Sequence, residues 1–426
     1  MGDRVTVVGG GSTYTPELVD GLARNASALD LDELVLVDPD VGRLNIVGGM
    51  ARRMMHRAGW EGHLGTTSDL DAGLEGAATV LVQLRVGGQA ARSIDEELPH
   101  SCGCIGQETT GAGGFSKALR TIPVMLDIAE RMAERAAPGS WLIDFTNPVG
   151  MVTRSLLDDG HRAIGLCNVA IGFQRMFAAW FGVEPAAIGL DHVGLNHLTW
   201  IRSVTVDGTD RTAELLARHG DDIAGRVGLP RQLLDDLRAI PSYYLSYFYR
   251  HDEVLAEQLQ APSRASAVAR IERELLSLYA DPEIDRKPAL LEQRGGAYYS
   301  EAAVQLLTSL KRGDGSQQVV NVANGTAIAG LPSRCVVELP CRIGADGPQP
   351  VAVTPLAPEI LGLVQHVAAY EELTIEAART GSRRTARRAL LAHPLIGQCD
   401  TAGTLVDRLI AAHAEHLPRF ATDRTR

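Results

Sequence analysis

Val7-Val8-Gly9-Gly10-Gly11-Ser12-Thr13-Tyr14-Thr15-Pro16 is the stretch on which the fold of this chain turns. Residues 4–9 (RVTVVG) read as a buried strand, and residues 15–25 as a helix entered through Pro16. Between them, Gly9 permits the tight turn by which a strand feeds a helix. Gly11 lets the backbone approach a pyrophosphate, and the first amides of the helix, with Ser12 and Thr13, receive its negative charge. Residues 33–38 (ELVLVD) form a second strand, ending at Asp38 where a carboxylate can bind a ribose diol. An acid rather than an arginine at that place favours NAD over NADP. Tyr14 stands where a complete fingerprint has its third glycine, so an ordinary strand-to-helix turn is the competing reading.

Working outward, residues 44–56 read as a helix, 79–84 (TVLVQL) as a third strand and 117–135 as a long amphipathic helix. Residues 140–145 (SWLIDF) and 162–167 (RAIGLC) are later strands, with a helix over 151–157 between them. Strands alternating with helices predict an α/β fold, a Rossmann-like doubly wound parallel sheet. After about Leu190 the pattern changes. Residues 200–206 read as a strand turning at Asp207-Gly208 into a hairpin, 317–322 and 335–341 as strands, and 231–237, 263–279, 299–310, 355–380, 383–392 and 401–416 as helices. Two domains are expected: an NAD-binding domain over 1–190, and a mixed α+β domain over 191–426 for substrate, metal and oligomerisation.

Composition narrows the function classes. The formal charge of −11 disfavours nucleic acid and anionic membrane as partners, so an anionic substrate needs a locally positive pocket. Six scattered cysteines, and folded-core sequence beginning at Val5, predict free thiols in a reducing cytoplasm without a signal peptide. No apolar run reaches the ~18–20 residues of a membrane helix.

Two further strand ends carry chemistry. Phe145-Thr146-Asn147-Pro148 closes one and Gly165-Leu166-Cys167-Asn168 the next, so both project into the crevice reached by Gly9 and Asp38. His197 follows in Gly194-Leu195-Asn196-His197. A thiolate and an imidazole suit a borderline divalent metal, although on spacing alone a buried Cys and a structural His are the better account of the pair. The tyrosines of residues 240–249 (IPSYYLSYFY) read as core packing or, beside a cation that lowers a phenol pKa, as a base. Cys102-Gly-Cys104 reads as two buried small residues or as a metal or redox pair.

Taken together, residues 9–18 (GGGSTYTPEL), 85–92 (RVGGQAAR), 105–114 (IGQETTGAGG), 145–151 (FTNPVGM), 165–168 (GLCN), 194–197 (GLNH) and 294–296 (RGG) resemble glycoside hydrolase family 4. Within it they are similar to the 6-phospho-β-glucosidases. The resemblance covers residues 5–394 and implies NAD, a divalent metal (usually manganese) and a catalytic tyrosine. It implies Cys167 and His197 as metal ligands and Tyr244 as the base, with Tyr243 or Tyr247 as alternatives. It implies Arg92, Asn147, Asn168 and Arg294 as contacts to the sugar or its 6-phosphate, where a guanidinium grips two phosphate oxygens at once.

The implied reaction is oxidation of the sugar at C3, loss of the C2 proton and the C1 aglycone, addition of water and re-reduction. This family stands apart from glycosidases that use two carboxylates. Relatives acting on 6-phospho-α-glycosides often carry Asp after the metal cysteine, so Asn168 points to β substrates. The implied substrate is a phosphorylated disaccharide or aryl glycoside, and the implied assembly a homodimer or homotetramer. An NAD-dependent dehydrogenase of a sugar or hydroxy acid shares the fold but leaves Cys167 and His197 unexplained. A non-catalytic NAD sensor leaves the whole crevice unexplained.

Overall fold

Six parallel strands supply the frame of the computed structural model, which describes residues 3–296 and 298–421. They are β1 (Asp3–Val8), β2 (Leu31–Val37), β3 (His63–Thr67), β4 (Thr79–Val82), β5 (Trp141–Asp144) and β6 (Ala163–Gly165). All pair in parallel, in the order β3-β2-β1-β4-β5-β6, which is the Rossmann order. Val80, Leu81 and Val82 are wholly buried, as strands covered on both faces require. The helices Thr15–Arg24 and Val41–Arg57 pack on each other, as do Gly111–Arg135 and Val149–Asp158. Right-handed crossovers put these two pairs on opposite faces, because the chain reverses direction across the sheet between β1 and β4. That reversal opens a crevice at the carboxyl ends of β1 and β4, the usual ligand position in such sheets.

The second half of the chain extends this sheet instead of building a separate one. The added strands are β7 (Ile188–Leu195), β8 (Leu198–Val206), β9 (Thr209–Asp210), β10 (Ile240–Pro241), β11 (Ser316–Ala323), β12 (Val336–Gly344) and β13 (Gly347–Pro350). The sheet continues from β6 as β11-β12-β7-β8-β10, all antiparallel, with β9 on β8 and β13 on β12. The predicted hairpin at Asp207-Gly208 is present as β8 and β9. Two joints of the sheet are narrow. β11 meets β6 only at Asn321 and Gly165, and β12 meets β7 only at Glu338 and Gly194. β7 runs across the point, 190/191, where the change in sequence pattern suggested a boundary.

Several elements escape the sequence pattern. β3 (HLGTT) is a half-exposed polar edge strand, and β7 (IGLDHVGL) mixes a buried His192 with glycines. The helices Gly88–Glu97, Val169–Phe181 and Thr212–Val227 were likewise not expected. The helix expected from Lys117 begins at Gly111, because its GAGG start is a poor helix former that is retained for contact. A Cβ on Gly113 would lie 2.2 Å from the Gln107 carbonyl oxygen, and one on Gly114 2.6 Å from that of Thr109. The helix start and the loop 107–109 are thus packed backbone to backbone.

Candidate active site

At the end of β1 the glycine run makes the expected turn. Gly9 has φ +87°, and a Cβ there would meet the Gln83 carbonyl oxygen at 2.7 Å. The Gly11 amide donates to Asp38 Oδ2 at 2.9 Å, and the Asp40 amide to Oδ1 at 3.0 Å. Ser12 donates its amide to the Gly9 carbonyl at 3.1 Å, and its hydroxyl accepts from the Tyr14 amide at 3.2 Å. Gly9, Gly11, Ser12, Thr13 and Asp38 therefore share one turn.

Thr13 is turned inward. It is wholly buried, and its hydroxyl accepts from Arg294 Nε at 2.8 Å and donates to Glu272 Oε1 at 3.2 Å. Arg294 completes the knot with an ion pair to Glu272 at 3.1 Å. Its guanidinium thus stands against the glycine turn, not against Arg92. Gln89, which donates to the same Glu272 oxygen at 3.1 Å, links the two places.

Arg92 belongs to a second group. Glu108 accepts from Arg85 and from Lys117 at 2.8 Å and forms an ion pair with Arg92 at 3.4 Å, and Arg92 also pairs with Glu96 at 2.7 Å. Burial alone would raise the Glu108 pKa, but Arg85, Lys117 and Arg92 hold it well below the usual carboxylate range. Burial and Arg85 pull Lys117 down to about 7, against the opposing influence of Glu108. Three cations face one carboxylate directly, so this pocket carries surplus positive charge in an acidic chain. Arg85 and Lys117 were not singled out in the sequence. The available signal was that Lys117 is one of only three lysines, with Arg120 one turn further along the same helix.

The third group gathers at β5, β6 and the turn from β7 to β8. His197 occupies that turn at φ +64° and is 5 % exposed. The Tyr244 ring stacks on it, with centroids 3.7 Å apart and planes 11° apart. Tyr243 lies 4.7 Å from Tyr244, and Tyr247 lies 6.3 Å from it. Burial lowers the His197 pKa to about 4, so the imidazole is neutral at pH 7 and keeps a lone pair for a ligand. Cys167 is buried beside Asn196. Burial first, then the charge of Glu338, push its thiol pKa well up.

Glu338 is itself buried among hydrogen-bond donors. His192 lies at 2.9 Å, Asn196 at 2.8 Å and Asn321 at 3.1 Å. Burial opposes its ionisation, yet these hydrogen bonds hold its pKa below normal. Its signal in the sequence is a lone acid inside the apolar strand β12. Asn147 Oδ1 is buried with no hydrogen-bond partner, and Asn168 directly precedes the helix Val169–Phe181.

Tyr299 ties these groups together. Its ring packs edge-on against Tyr14 of the glycine turn at 6.0 Å and against Phe145 at 5.5 Å, and its phenol feels Cys167. Among the described residues, no three His, Cys, Asp or Glu side chains are grouped to hold a metal. Cys167 and His197 offer a thiolate and an imidazole, a donor pair suited to a borderline divalent ion. The unpartnered Asn147 oxygen nearby suits the same ligand-receiving role. The glycine cradle with Asp38 fits a dinucleotide. Cys102 and Cys104 remain free thiols, with the Cys104 thiol donating to the Cys102 carbonyl at 3.6 Å.

The model of the family 4 glycosyl hydrolases matches residues 4–183, and that of their C-terminal domain matches residues 192–396. The chain belongs to glycosyl hydrolase family 4. Within this family it is 39 % identical to a probable 6-phospho-β-glucosidase of Bacillus subtilis, over 98 % of both chains. It is 36 % identical to the 6-phospho-β-glucosidase of Escherichia coli, over 98 % of this chain and 97 % of that one. The 6-phospho-β-glucosidase of Thermotoga maritima, solved with manganese, NAD+ and glucose-6-phosphate, superposes with a TM-score of 0.90 at 32 % identity. The match covers 97 % of this chain and 99 % of that one. The family 4 fold is thus a Rossmann-type sheet carrying a second, C-terminal part, as the strand order indicates.

Proposed function

We propose that this chain hydrolyses 6-phospho-β-glycosides with NAD and a divalent cation, manganese foremost. The reaction runs by oxidation at C3, elimination across C2 and C1, addition of water and re-reduction. The observation that carries this reading is Tyr244 stacked on His197 at 3.7 Å beside Cys167, at the sheet end that also holds the glycine turn. The names of the similar enzymes, and the ligands of the Thermotoga maritima structure, support it.

When bound, NAD supplies a reversible acceptor for hydride at C3, and the cation supplies polarisation of the ketone that results. Gly9, Gly11, Ser12, Thr13 and Asp38 would hold the dinucleotide, and Cys167 and His197 the cation. A ketone at C3 makes the C2 proton acidic, and the Tyr244 oxygen takes it. Burial, then Tyr243 and Cys167, raise the Tyr244 pKa well above normal, so this phenol acts as a base only beside positive charge. Arg92, with Arg85 and Lys117, grips the 6-phosphate. Asn147 receives a sugar hydroxyl on its unpartnered oxygen. Arg294 reaches the phosphate from the glycine-turn side, and Asn168 suits a β leaving group.

Residues 1–190 serve NAD and also bring Cys167 and the phosphate-facing cations, while residues 191–426 add His197, Tyr244 and the assembly surface, as a cytoplasmic homodimer or homotetramer. Among the described residues no helix is long and apolar enough to cross a membrane. The NAD-dependent dehydrogenase is disfavoured because it gives Cys167, His197 and the stacked Tyr244 no task.

The test is hydrolysis of p-nitrophenyl β-glucoside 6-phosphate with and without NAD and manganese under reducing conditions. Nitrophenol released only with both present, and without NADH accumulating, is the expected result. Steady NADH without nitrophenol would replace the glycosidase by a dehydrogenase. Arg294→Ala is expected to raise KM for the phosphorylated glycoside more than for its unphosphorylated analogue. Equal effects would remove Arg294 from the phosphate.

A further inference from the structure

Glu108 faces the phosphate-gripping cations. Its neighbours Gln107 and Thr109 have no task in the reaction just described, yet they are held with unusual care. Gly113 and Gly114 let the start of the helix Gly111–Arg135 lie directly on the backbone of the loop 107–109. Thr109 Oγ1 is 2.9 Å from His197 Nδ1 and 2.9 Å from Gln107 Oε1. The Thr109 amide also donates to Gln107 Oε1, at 2.5 Å.

These contacts fix the direction of every proton. A backbone amide only donates, so the Gln107 atom facing it is the oxygen and not the side-chain nitrogen. That oxygen only accepts, so the single hydroxyl proton of Thr109 points to Gln107. Thr109 Oγ1 is then left with lone pairs towards His197, and the bond between them requires a proton on Nδ1. A neutral imidazole has one N–H, so Nε2 carries the free lone pair. The opposite direction would place two acceptors face to face between Thr109 and Gln107.

We propose that Gln107 and Thr109 form a relay that fixes His197 as its Nδ1–H tautomer and presents Nε2 to the divalent cation. The inference rests on His197 being a metal ligand. Both are positioning residues, acting through His197 and touching neither sugar nor nucleotide. Valine is the informative replacement at 109, because it fills the volume of threonine. Alanine would enlarge the adjoining cavity of about 20 Å³ that His197 and Thr109 line, and a water there would restore the lost bond.

Two measurements test the relay. The first is 15N NMR of histidine-labelled, metal-free protein, with the His197 signal assigned by its loss in His197→Ala. Wild type is expected as the Nδ1–H tautomer, with Nε2–H appearing in Thr109→Val and Gln107→Leu. The second is manganese(II) binding followed by electron paramagnetic resonance. Thr109→Val and Gln107→Leu are expected to bind about 10–100-fold more weakly, as other supports of metal ligands do. Thr109→Ser and Gln107→Glu, which keep donor and acceptor in place, are expected to bind like wild type.

An Nε2–H tautomer in wild type, or manganese binding unchanged in both Thr109→Val and Gln107→Leu, overturns the relay. Undiminished binding by His197→Ala overturns instead the assignment of His197 as ligand, while the tautomer measurement still decides the relay. Gln107→Leu keeps the test open should Thr109→Val fail to fold.

Discussion

The glycine turn and the Cys167–His197 pocket lie at the same end of one sheet and are built in opposite ways. The turn itself is local: Gly9 to Thr13 are consecutive, Asp38 closes the neighbouring strand, and Arg294 and Glu272 reach it only through the Thr13 side chain. The pocket is assembled at long range. Cys167 ends β6, His197 joins β7 to β8, Tyr244 follows β10, and Glu338 comes from β12. A local device is carried by backbone amides and a missing Cβ. An assembled one is carried by side-chain chemistry that only the finished fold brings together. Damage to the first should therefore appear as lost nucleotide, and damage to the second as lost chemistry with the nucleotide still bound.

Cys167→Ser presses hardest on that division. It is expected to cut metal-dependent turnover roughly 10³-fold, the scale of a lost Lewis acid, with NAD affinity within about twofold of wild type. Turnover assays beside NAD titration check it, and wild-type turnover would remove Cys167 from the metal. Tyr244→Phe is expected to lower kcat about 10²–10⁴-fold, as for a lost general base, and to leave both cofactors bound. The same change at Tyr243 or Tyr247 should matter little. If one of those two instead carries the large loss, it is the base.

Gly9→Ala attacks the other region. Its Cβ would press on the Gln83 carbonyl at 2.7 Å from a left-handed backbone, at a cost of about 1–3 kcal/mol. Weaker NAD binding with manganese affinity intact is the expected pattern, read by two separate titrations. Equal losses of both would mean that the two regions are one cooperative unit.

The smallest effect is a fraction of a proton. Lys117 titrates near 7 in the free protein, so it is largely neutral at pH 8. A phosphate dianion favours its charged form and raises that pKa, so binding at pH 8 takes up protons. Well below pH 7 the lysine is already charged, and its share of the uptake vanishes. Calorimetry of glucose 6-phosphate binding in buffers of different ionisation enthalpy reads this directly, with Lys117→Met as control. Uptake unchanged in the control would place the phosphate away from Lys117.

The same contrast explains what the sequence made legible. Every parallel strand except β3 announced itself by a run of Val, Leu and Ile, and the turn by its glycines. β3 stayed hidden because a polar edge strand has no apolar alternation to detect. In the pocket, spacing alone gave Cys167 and His197 no advantage over a buried thiol and a structural imidazole. The family resemblance supplied their roles. It did not reveal Glu338, whose partners His192, Asn196 and Asn321 come from β7, the turn after it and β11. Nor did it reveal Arg85 and Lys117, which a sequence scan leaves as one more arginine and one lysine of an amphipathic helix. Arg294 was legible as a cation near an anion site, but not as the partner of Thr13.

The two narrow joints of the sheet have a mechanical consequence. Gly165 and Asn321 form one, two residues before Cys167, and Glu338 and Gly194 form the other, three residues before His197. Each is a single stitch between ladders that are otherwise several residues long. Only the first joins the two halves, and the second lies within the added sheet, so Cys167 and His197 each sit just past a single stitch on opposite sides of the β11–β12 pair. Loosening of either stitch would change the separation of the two side chains while the longer ladders stayed paired.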